Sequence, residues 1–426
     1  RVVFAFSNRI MNNNYLQFAL QPEANGNYKT LGEAVMAAKN FTYQNSGDIT
    51  NNRKFTLLGD PALKLAFPAL RVRATKVNGI PVANADTLSS SEKIVMEGEV
   101  TDIAGNVLTN FNGTVYPVVL DKPQTVNTLA NDPGSQVAAF QSQTNALFKG
   151  KASVTNGRFS FTFKVPKDIN YQFGNGKLSL YADNGATDAN GIFSNFIIGG
   201  TANNPGNDNQ GPEIKSYLND ELFVNGGITN QNPVLIVKLA DSSGINTVGT
   251  GIGHDIIATL DNDNRRYYLL NDFYQSELNS YQEGTVRFQL PELEAGPHSL
   301  KIKAWDVLNN SNEMVLEFTV AKDEELQLSH VFNYPNPFTT HTSFWFEHNK
   351  PGQPLQVQLQ IMTITGRTVK SFSRMITTEG NRSAEIEWDG KDDYGDRLGR
   401  GVYLYKLRVV SPDKKKKEVI EKLVIL

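Results

Sequence analysis

The chain has no cysteine and five histidines among its 426 residues, so the chemistry open to it is narrow. Without cysteine, these residues offer no thiolate nucleophile, no disulfide and no thiolate ligand for zinc. No Gly-x-Ser-x-Gly motif is present to indicate an activated serine. We therefore assign no catalytic residue and no cofactor or cofactor-binding residue to this chain.

The histidines do not have the spacing of metal ligands. His254 lies in a glycine-rich stretch and His298 begins an alternating strand, and neither has a second histidine or a carboxylate at ligand spacing. His341 and His348 flank one apolar strand, which places them too far apart to share an ion. We expect structural roles for these side chains and no metal site.

Three acidic segments need a similar judgement. Residues 261–264 and 389–396 place oxygen-bearing side chains at alternate positions, as calcium loops do, but they lack a bidentate glutamate at the required distance. Asp60 precedes Pro61, where an aspartate side chain most often caps a turn. We interpret all three as turns.

The composition is that of a globular chain. Hydrophobic residues make up 39%, charged residues 20%, and the net charge of -3 gives no basic footprint for nucleic acid. The basic run at residues 414–417 is interpreted as a solvated hairpin turn. No stretch approaches the roughly 18 apolar residues of a membrane-spanning helix. The chain begins at Arg1 within an apolar run, without a signal peptide, and we expect a fragment whose targeting segment lies upstream.

Residues 1–68 have the pattern of an α/β domain. Residues 2–6 form an apolar run typical of a strand buried on both faces. Thr30 and Glu33 have capping-box spacing and predict the start of a helix. Residues 55–58 predict a second short buried strand. The apolar face of the helix is predicted to comprise Leu31, Ala34, Val35, Ala38 and Phe41.

From residue 69 onward, apolar residues alternate with a period of two, which indicates β-strands. Asn156 and Gly157 separate two such strands and predict a two-residue hairpin turn. Residues 121–150 are expected to be an insertion, and residues 201–212, which lack an apolar anchor, a linker. The fold is therefore predicted to be mostly β. We expect immunoglobulin-like β-sandwiches at residues 69–200, 213–323 and 326–426.

Residues 57–65 (Leu-Leu-Gly-Asp-Pro-Ala-Leu-Lys-Leu) follow the predicted helix and resemble the closing segment of gingipain-type cysteine peptidases of family C25. That family has a caspase-like α/β domain followed by an immunoglobulin-like sandwich. The resemblance implies that residues 1–68 are the C-terminal part of a peptidase domain. In that family the catalytic histidine and cysteine lie earlier in the domain, and neither can be mapped here, because no cysteine exists and no histidine precedes residue 70.

The last predicted sandwich carries four separated motifs, at residues 334–338 (Tyr-Pro-Asn-Pro-Phe), 364–369, 388–391 and 401–403. Their order and spacing resemble the C-terminal sorting domain of proteins exported by the type IX secretion system of Bacteroidota, which is akin to the flagellar hook-capping module. We expect Tyr334 and Phe338 to be buried, and Gly366 and Gly390 to adopt turns with positive φ. Gly401 is expected to permit a close backbone approach.

Residues 290–300, which contain a Gly-x-His-x-Leu strand, lead to an Ala-x-Asp at residues 304–306. Hook-capping-like domains have a similar arrangement. Residues 213–323 are therefore expected to share the fold class of the last domain.

This order of domains resembles the signal peptidases, or sortases, of the type IX system. The resemblance implies an enzyme on the extracellular face of the outer membrane that removes sorting domains from cargo proteins and helps attach cargo to lipopolysaccharide. It also implies that the last domain is retained as an anchor to a PorV-like outer-membrane β-barrel. Aromatic residues that face outward on this domain would form a docking patch. The chain ends with residues 422–426 (Lys-Leu-Val-Ile-Leu), where cargo domains usually have a lysine-rich strand.

Two other functions stay open from the sequence. The chain could belong to a secreted peptidase that is itself cargo, in which case the last domain is cut off on arrival. It could also belong to a non-enzymatic surface adhesin built from stacked sandwiches.

Overall fold

The computed structural model describes residues 5–23, 26–46, 49–85, 87–203, 206–247, 253–322 and 325–426. In these residues the α-helices all precede residue 53, and the rest of the chain is built from short strands. The predicted mostly-β fold class is confirmed. None of the described helices is long and apolar enough to cross a membrane.

The N-terminal segment is a pair of packed helices followed by a short third helix. Asn14 donates its side-chain amide to Thr42 Oγ1 at 2.8 Å, and Phe18 meets Phe41 edge to face with ring centroids 5.8 Å apart. The capping box is confirmed, since Thr30 N donates to Glu33 Oε2 at 2.8 Å and Glu33 N to Thr30 Oγ1 at 3.2 Å. The helices are α1 (Ala5–Leu20), α2 (Leu31–Ser46) and α3 (Ile49–Asn52).

The two strands predicted in this segment are wrong where the structure describes them. Residues 5 and 6 begin α1 instead of continuing a strand, and residues 2–4 lie outside the described residues. Residues 55–58 belong to no sheet, and Leu58 is 93% exposed. A short apolar run does not by its period distinguish a strand from a helix, and a strand needs a neighbour to pair with. Asp60 does cap its turn, because Ala62 N donates to Asp60 Oδ1 at 2.8 Å.

The second module is an all-β domain whose main sheet closes on itself. The hydrogen-bonded order is β12-β13-β1-β4-β10-β9-β5, and β5 pairs in turn with β12. The sequence predicted an immunoglobulin-like sandwich here; in the structure these backbone bonds close the main sheet into a ring, and β11, β14 and β3 form a separate sheet. The strands are β1 (Leu70–Val77), β2 (Ile80–Pro81), β3 (Leu88–Ser90), β4 (Lys93–Thr101), β5 (Gly113–Leu120), β6 (Gln124–Asn127), β7 (Ala139–Ser142), β8 (Ala146–Lys149), β9 (Ala152–Thr155), β10 (Arg158–Lys164), β11 (Gly174–Asn175), β12 (Lys177–Asp183), β13 (Asp188–Phe193) and β14 (Ile197–Thr201).

The predicted hairpin between β9 and β10 is confirmed. Thr155 pairs with Arg158, and Asn156 and Gly157 have φ values of 51° and 71° between them. Phe159, Phe161 and Phe163 of β10 all point into the core, as their alternation predicts. Most of the predicted insertion leaves the body as a small hairpin of β6 and β7.

The third module is a sandwich of two antiparallel-rich sheets. One sheet has the order β15-β17-β21-β20 and the other β16-β23-β22-β18-β19. Side chains of both sheets, such as Val237 and Ile302, share one buried core. The strands are β15 (Glu213–Leu218), β16 (Ile228–Thr229), β17 (Val234–Ala240), β18 (Ile257–Leu260), β19 (Tyr267–Leu269), β20 (Tyr274–Ser276), β21 (Glu283–Gln289), β22 (Gly296–Trp305) and β23 (Ser311–Val320).

The last module is a smaller sandwich. Its sheets have the orders β24-β25-β28 and β27-β26-β29-β30, and Phe344, Trp388 and Tyr405 lie in the core between them. The basic run at residues 414–417 falls in the turn between β29 and β30 and at the start of β30. The strands are β24 (Leu328–Tyr334), β25 (Thr342–His348), β26 (Leu355–Thr363), β27 (Thr368–Ile376), β28 (Ile386–Trp388), β29 (Gly401–Val410) and β30 (Lys416–Ile425).

The motifs of this module are partly as expected. Phe338 is buried, and Gly366 and Gly390 have φ values of 85° and 75°, as the turns require. Tyr334 was expected to be buried, but it is 69% exposed because it is on the outer face of β24. No atom lies within 4 Å of a Cβ built on Gly401, so its predicted role in close approach is wrong.

Candidate functional site

The predicted structural histidines have identifiable partners. His298 Nδ1 lies 2.9 Å from Asp261 Oδ2, and its Nε2 lies 2.8 Å from the carbonyl oxygen of Glu294. This places Asp261 against a strand and a histidine instead of in a calcium loop. His341 Nδ1 lies 3.1 Å from the hydroxyl of the neighbouring Thr340.

His348 is the most deeply buried of the five histidines, with 1% of its surface exposed. Lys350 N donates to its Nδ1 at 3.2 Å, which fixes Nε2 as the protonated nitrogen, and Nε2 lies 2.9 Å from Thr378 Oγ1. Burial lowers the pKa of His348 to about 4, because a charged imidazole would lose its hydration there. His348 is therefore a neutral structural residue at neutral pH.

His254 lies at a contact between modules. Its Nδ1 contacts Asp168 Oδ2, and its ring lies 4.2 Å from the ring of Trp305. Asn309 donates its side-chain amide to the other oxygen of Asp168 at 2.6 Å. Asp168 belongs to the second module and the other three residues to the third, so this cluster joins two modules.

A cluster of three carboxylates was missed by the sequence analysis. Asp208, Asp241 and Asp306 each have an oxygen within 4.8 Å of the others. Asp241 follows β17, Asp306 follows β22, and Asp208 comes from the predicted linker. The linker is thus attached to the third module, although it has no apolar anchor, because polar groups anchor it.

The chain itself supplies donors to this cluster. Ser242 and Ser243 donate their hydroxyls to Asp208 at 2.7 and 2.8 Å, and the Asn310 backbone donates to Asp306 at 2.7 Å. The ammonium of Lys164 interacts electrostatically with all three carboxylates.

Burial raises the pKa of Asp241 to about 6, and the charges of Asp306 and Asp208 add to the effect. Three oxygen ligands suit a hard cation such as calcium. These donors and Lys164 account for the cluster without an ion, and we assign no metal to it.

The last module presents a cavity on the outer face of its three-stranded sheet, next to the third module. Phe332 of β24 is paired with Trp345 of β25, and their ring centroids lie 5.6 Å apart. The guanidinium carbon of Arg382 lies 6.0 Å from the centroid of Phe332 and 5.6 Å from that of Trp345. Val224 of the third module completes the rim. We call this cavity, of about 370 Å³, the aromatic pocket.

A carboxylate also lines the aromatic pocket. The Glu347 side chain is only 9% exposed, and its Oε2 accepts a hydrogen bond from Ser329 Oγ at 3.1 Å and lies 2.8 Å from His330 Nδ1. The backbones of Glu347 and Arg382 form an antiparallel bridge, but the carboxylate of Glu347 is directed to Ser329 and His330 and makes no ion pair with Arg382. The sequence contains a signal for the aromatic face of this pocket, because the alternation of β25 turns Trp345 outward while Phe344 and Phe346 point into the core.

The N-terminal segment is similar to a known peptidase family. Residues 1–66 match Peptidase family C25. This confirms the resemblance predicted from residues 57–65 and the helix before them. The C25 match covers the helical segment alone and stops before the first strand at Leu70.

The whole chain is similar to the dimeric latent PorU of Porphyromonas gingivalis. The two are 30% identical, the similarity covers 96% of this chain and 39% of that chain, and the TM-score is 0.40. This chain therefore spans well under half the length of that relative. No curated protein matches the chain.

Other solved structures share less with the chain. A tetra-tandem repeat from the extending region of a large adhesion protein is 12% identical, covers 84% of this chain and 74% of its own, and has a TM-score of 0.19. A bacterial ice-binding adhesin is 10% identical over 84% of this chain and 98% of its own, with a TM-score of 0.18.

Proposed function

We propose that this chain is the C-terminal part of a type IX secretion sortase of the C25 peptidase type, which removes sorting domains from cargo at the cell surface. The single observation that carries the proposal is the C25 match of residues 1–66 in a chain that is 30% identical to PorU over 96% of its length. The sorting-type motifs of the last module support the link to type IX secretion.

In this proposal the chain supplies position, and the chemistry comes from elsewhere in the enzyme. Peptide cleavage by this family type needs a cysteine thiolate and a histidine, and this sequence has no cysteine. The helical segment would complete the peptidase domain. The β-modules would hold that domain at a set distance from the outer membrane.

Joints between the modules support a spacer role. The second and third modules are bonded at the His254–Asp168 contact and again where Asn279 N donates to the carbonyl oxygen of Lys151 at 2.8 Å. The third and last modules are bonded through Asn219, which donates to Asn381 Oδ1 at 2.7 Å. Bonds of this kind hold neighbouring modules in one orientation, as a spacer requires.

The last module, residues 326–426, is proposed to be retained and to dock on a PorV-like outer-membrane barrel. Capture of the purified barrel by the full-length enzyme, with and without these residues, tests the proposal. We expect the deletion to reduce capture to the level of an unrelated β-sandwich. Equal capture by both forms would count against docking.

A secreted peptidase that is itself cargo is the second candidate, and the sorting-type motifs favour it equally. The two candidates differ in the fate of the last module. Mass analysis of the protein released from the cell surface decides between them. A mature chain that keeps residues 326–426 supports the retained anchor, whereas one that ends near residue 325 supports cargo.

A further inference from the structure

The aromatic pocket contains a cation that the chain leaves without a carboxylate partner. Arg382 makes no ion pair with any residue in the described part of the chain, and its guanidinium lies over Phe332 and Trp345 instead. The positive charge of Arg382 acts to lower the pKa of Asp220, but burial has the larger effect and raises the pKa of that carboxyl. Arg382 is therefore available to an anion from outside.

The backbone on both sides of Arg382 is held firmly. Asn381 donates its side-chain amide to the carbonyl oxygen of His348 at 2.8 Å, and Ser383 exchanges bonds with Phe346 N and O at 3.0 and 2.8 Å. Both of these residues are buried. Because its neighbours are fixed and its side chain lies on two rings, Arg382 loses little freedom when it binds a carboxylate.

The rest of the pocket is apolar and partly open. Phe332 and Val224 remain about half exposed, at 40% and 48%, and Val331 also lines the pocket. Hot spots of protein interfaces are enriched in aromatic residues and arginine, which are the residue types found together here. Such a surface suits an apolar side chain, and Arg382 at its edge suits a carboxylate beside that side chain.

We propose that the aromatic pocket is the docking site for a protein segment that presents an apolar side chain next to a carboxylate. This inference rests on the proposed function in one respect: the segment belongs to the outer-membrane barrel that the last module binds. Val224 of the third module lines the pocket, and the bond from Asn219 to Asn381 joins that module to the last one, so the complete site requires both modules in their observed arrangement.

Photo-crosslinking tests the site directly. The full-length enzyme carries p-benzoylphenylalanine in place of Phe332, and a control carries it in place of Tyr394, an aromatic residue of the same module that is 93% exposed. After irradiation of cells that export the protein, mass spectrometry identifies the crosslinked peptide. We expect crosslinks from position 332 to one barrel segment with an apolar residue within two positions of an aspartate or glutamate. Crosslinks no more frequent than at position 394 would overturn the inference.

Charge variants test the role of Arg382. We expect Arg382→Glu to reduce capture of the purified barrel at least tenfold and Arg382→Gln to reduce it less, while lysine at the crosslinked carboxylate restores capture by the glutamate variant. The matched control is Arg374→Glu, an exposed arginine on the other sheet. Thermal unfolding of each variant checks that the fold is kept.

The outcomes separate this inference from the proposed function. Capture that is lost on deletion of residues 326–426 but unchanged by Arg382→Glu leaves barrel docking standing and overturns the pocket assignment. Charge-dependent crosslinking of a cargo protein in place of a barrel keeps the pocket's chemistry and overturns the assigned partner. Loss of capture by Arg374→Glu equal to that by Arg382→Glu also overturns the assignment.

Discussion

At the scale of single residues, His348 should make the stability of the last module depend on pH. Its pKa is about 4 in the fold and about 6.5 when exposed, so between these pH values only the unfolded chain binds the proton. The stability is therefore fully present above pH 6.5, falls as the pH drops from 6.5 to 4, and has lost this contribution below pH 4. A shift of this size corresponds to about 3 kcal/mol.

We expect His348→Gln to weaken the module at pH 7 and to remove much of its loss of stability between pH 7 and pH 4.5, because glutamine does not titrate. Urea unfolding followed by tryptophan fluorescence measures this, since Trp345 and Trp388 both lie in the last module. His341→Gln is the control, as His341 is exposed. The same pH dependence in His348→Gln and the wild type would contradict the prediction.

Asp241 has the opposite effect in the third module. Its pKa is raised from 3.8 to about 6, so its ionisation opposes folding, and this cost is absent below pH 3.8 and complete above pH 6. Asparagine keeps the acceptor for Ser243 N, which lies 2.7 Å from Asp241 Oδ1. The half-exposed position reduces the gain from Asp241→Asn to about 1 kcal/mol at pH 7.5, and we expect a smaller gain at pH 5.

Calorimetric unfolding at the two pH values checks the Asp241 prediction. Asp263→Asn in the same module serves as a control of opposite sign, because hydrogen bonds from Arg265 lower the pKa of Asp263. That control should lose stability at the higher pH. A loss by Asp241→Asn at pH 7.5 would show that its charge stabilises the fold.

At the scale of elements, the hairpin of β9 and β10 depends on Gly157. This glycine has φ of +71°, and a Cβ built on it would lie 2.4 Å from the carbonyl oxygen of Leu108. Gly79 has φ of +77° but nothing within 4 Å, so Gly79→Ala isolates the backbone cost. We expect about 1 kcal/mol of destabilisation for Gly79→Ala and about 3 kcal/mol for Gly157→Ala, measured by urea unfolding. Equal losses of stability would mean that the loop carrying Leu108 moves away from the added methyl group at no measurable cost.

Elements with a clear period were predictable from the sequence, and those without one were not. The alternation of Phe159, Phe161 and Phe163 is enough to specify β10, and the Thr30–Glu33 spacing specifies the start of α2. Residues 5 and 6 extend an apolar run that suits a strand as well as a helix, and they became the first turn of α1. The period shows which face is buried only when it is long enough to repeat.

The candidate sites could not be predicted from the sequence, for a different reason. The carboxylate cluster joins residues 208, 241 and 306, and the aromatic pocket joins residues 224, 332, 345 and 382. No local pattern connects positions that far apart: the fold of the third module gathers the carboxylates, and the pocket needs both the strand pairing of the last module and its contact with Val224. Outward aromatic residues on a strand give a partial signal, since they are unusual where a face meets water.

At the scale of the whole molecule, the contacts between the second and third modules should fix their relative positions and so the distance that the chain spans. Asn279 of the third module bonds to the second module here: Ser153 N donates to Asn279 Oδ1 at 2.7 Å, and Asn279 Nδ2 donates to Ser153 Oγ at 2.9 Å. Asn279 has φ of 61°, which glycine also adopts, so Asn279→Gly removes the side-chain bonds without backbone strain.

We expect Asn279→Gly, combined with Asp168→Ala at the second contact, to let the two modules move independently. Small-angle X-ray scattering should then show a broader distribution of interatomic distances than in the wild type, at unchanged secondary structure. Asn262→Gly is the control, since Asn262 has φ of 55° in an exposed turn. If scattering is unchanged in the double variant, the remaining contacts suffice and the spacer is stiffer than these bonds explain. If it broadens, the distance between the C25 segment and the aromatic pocket is set by a few polar side chains.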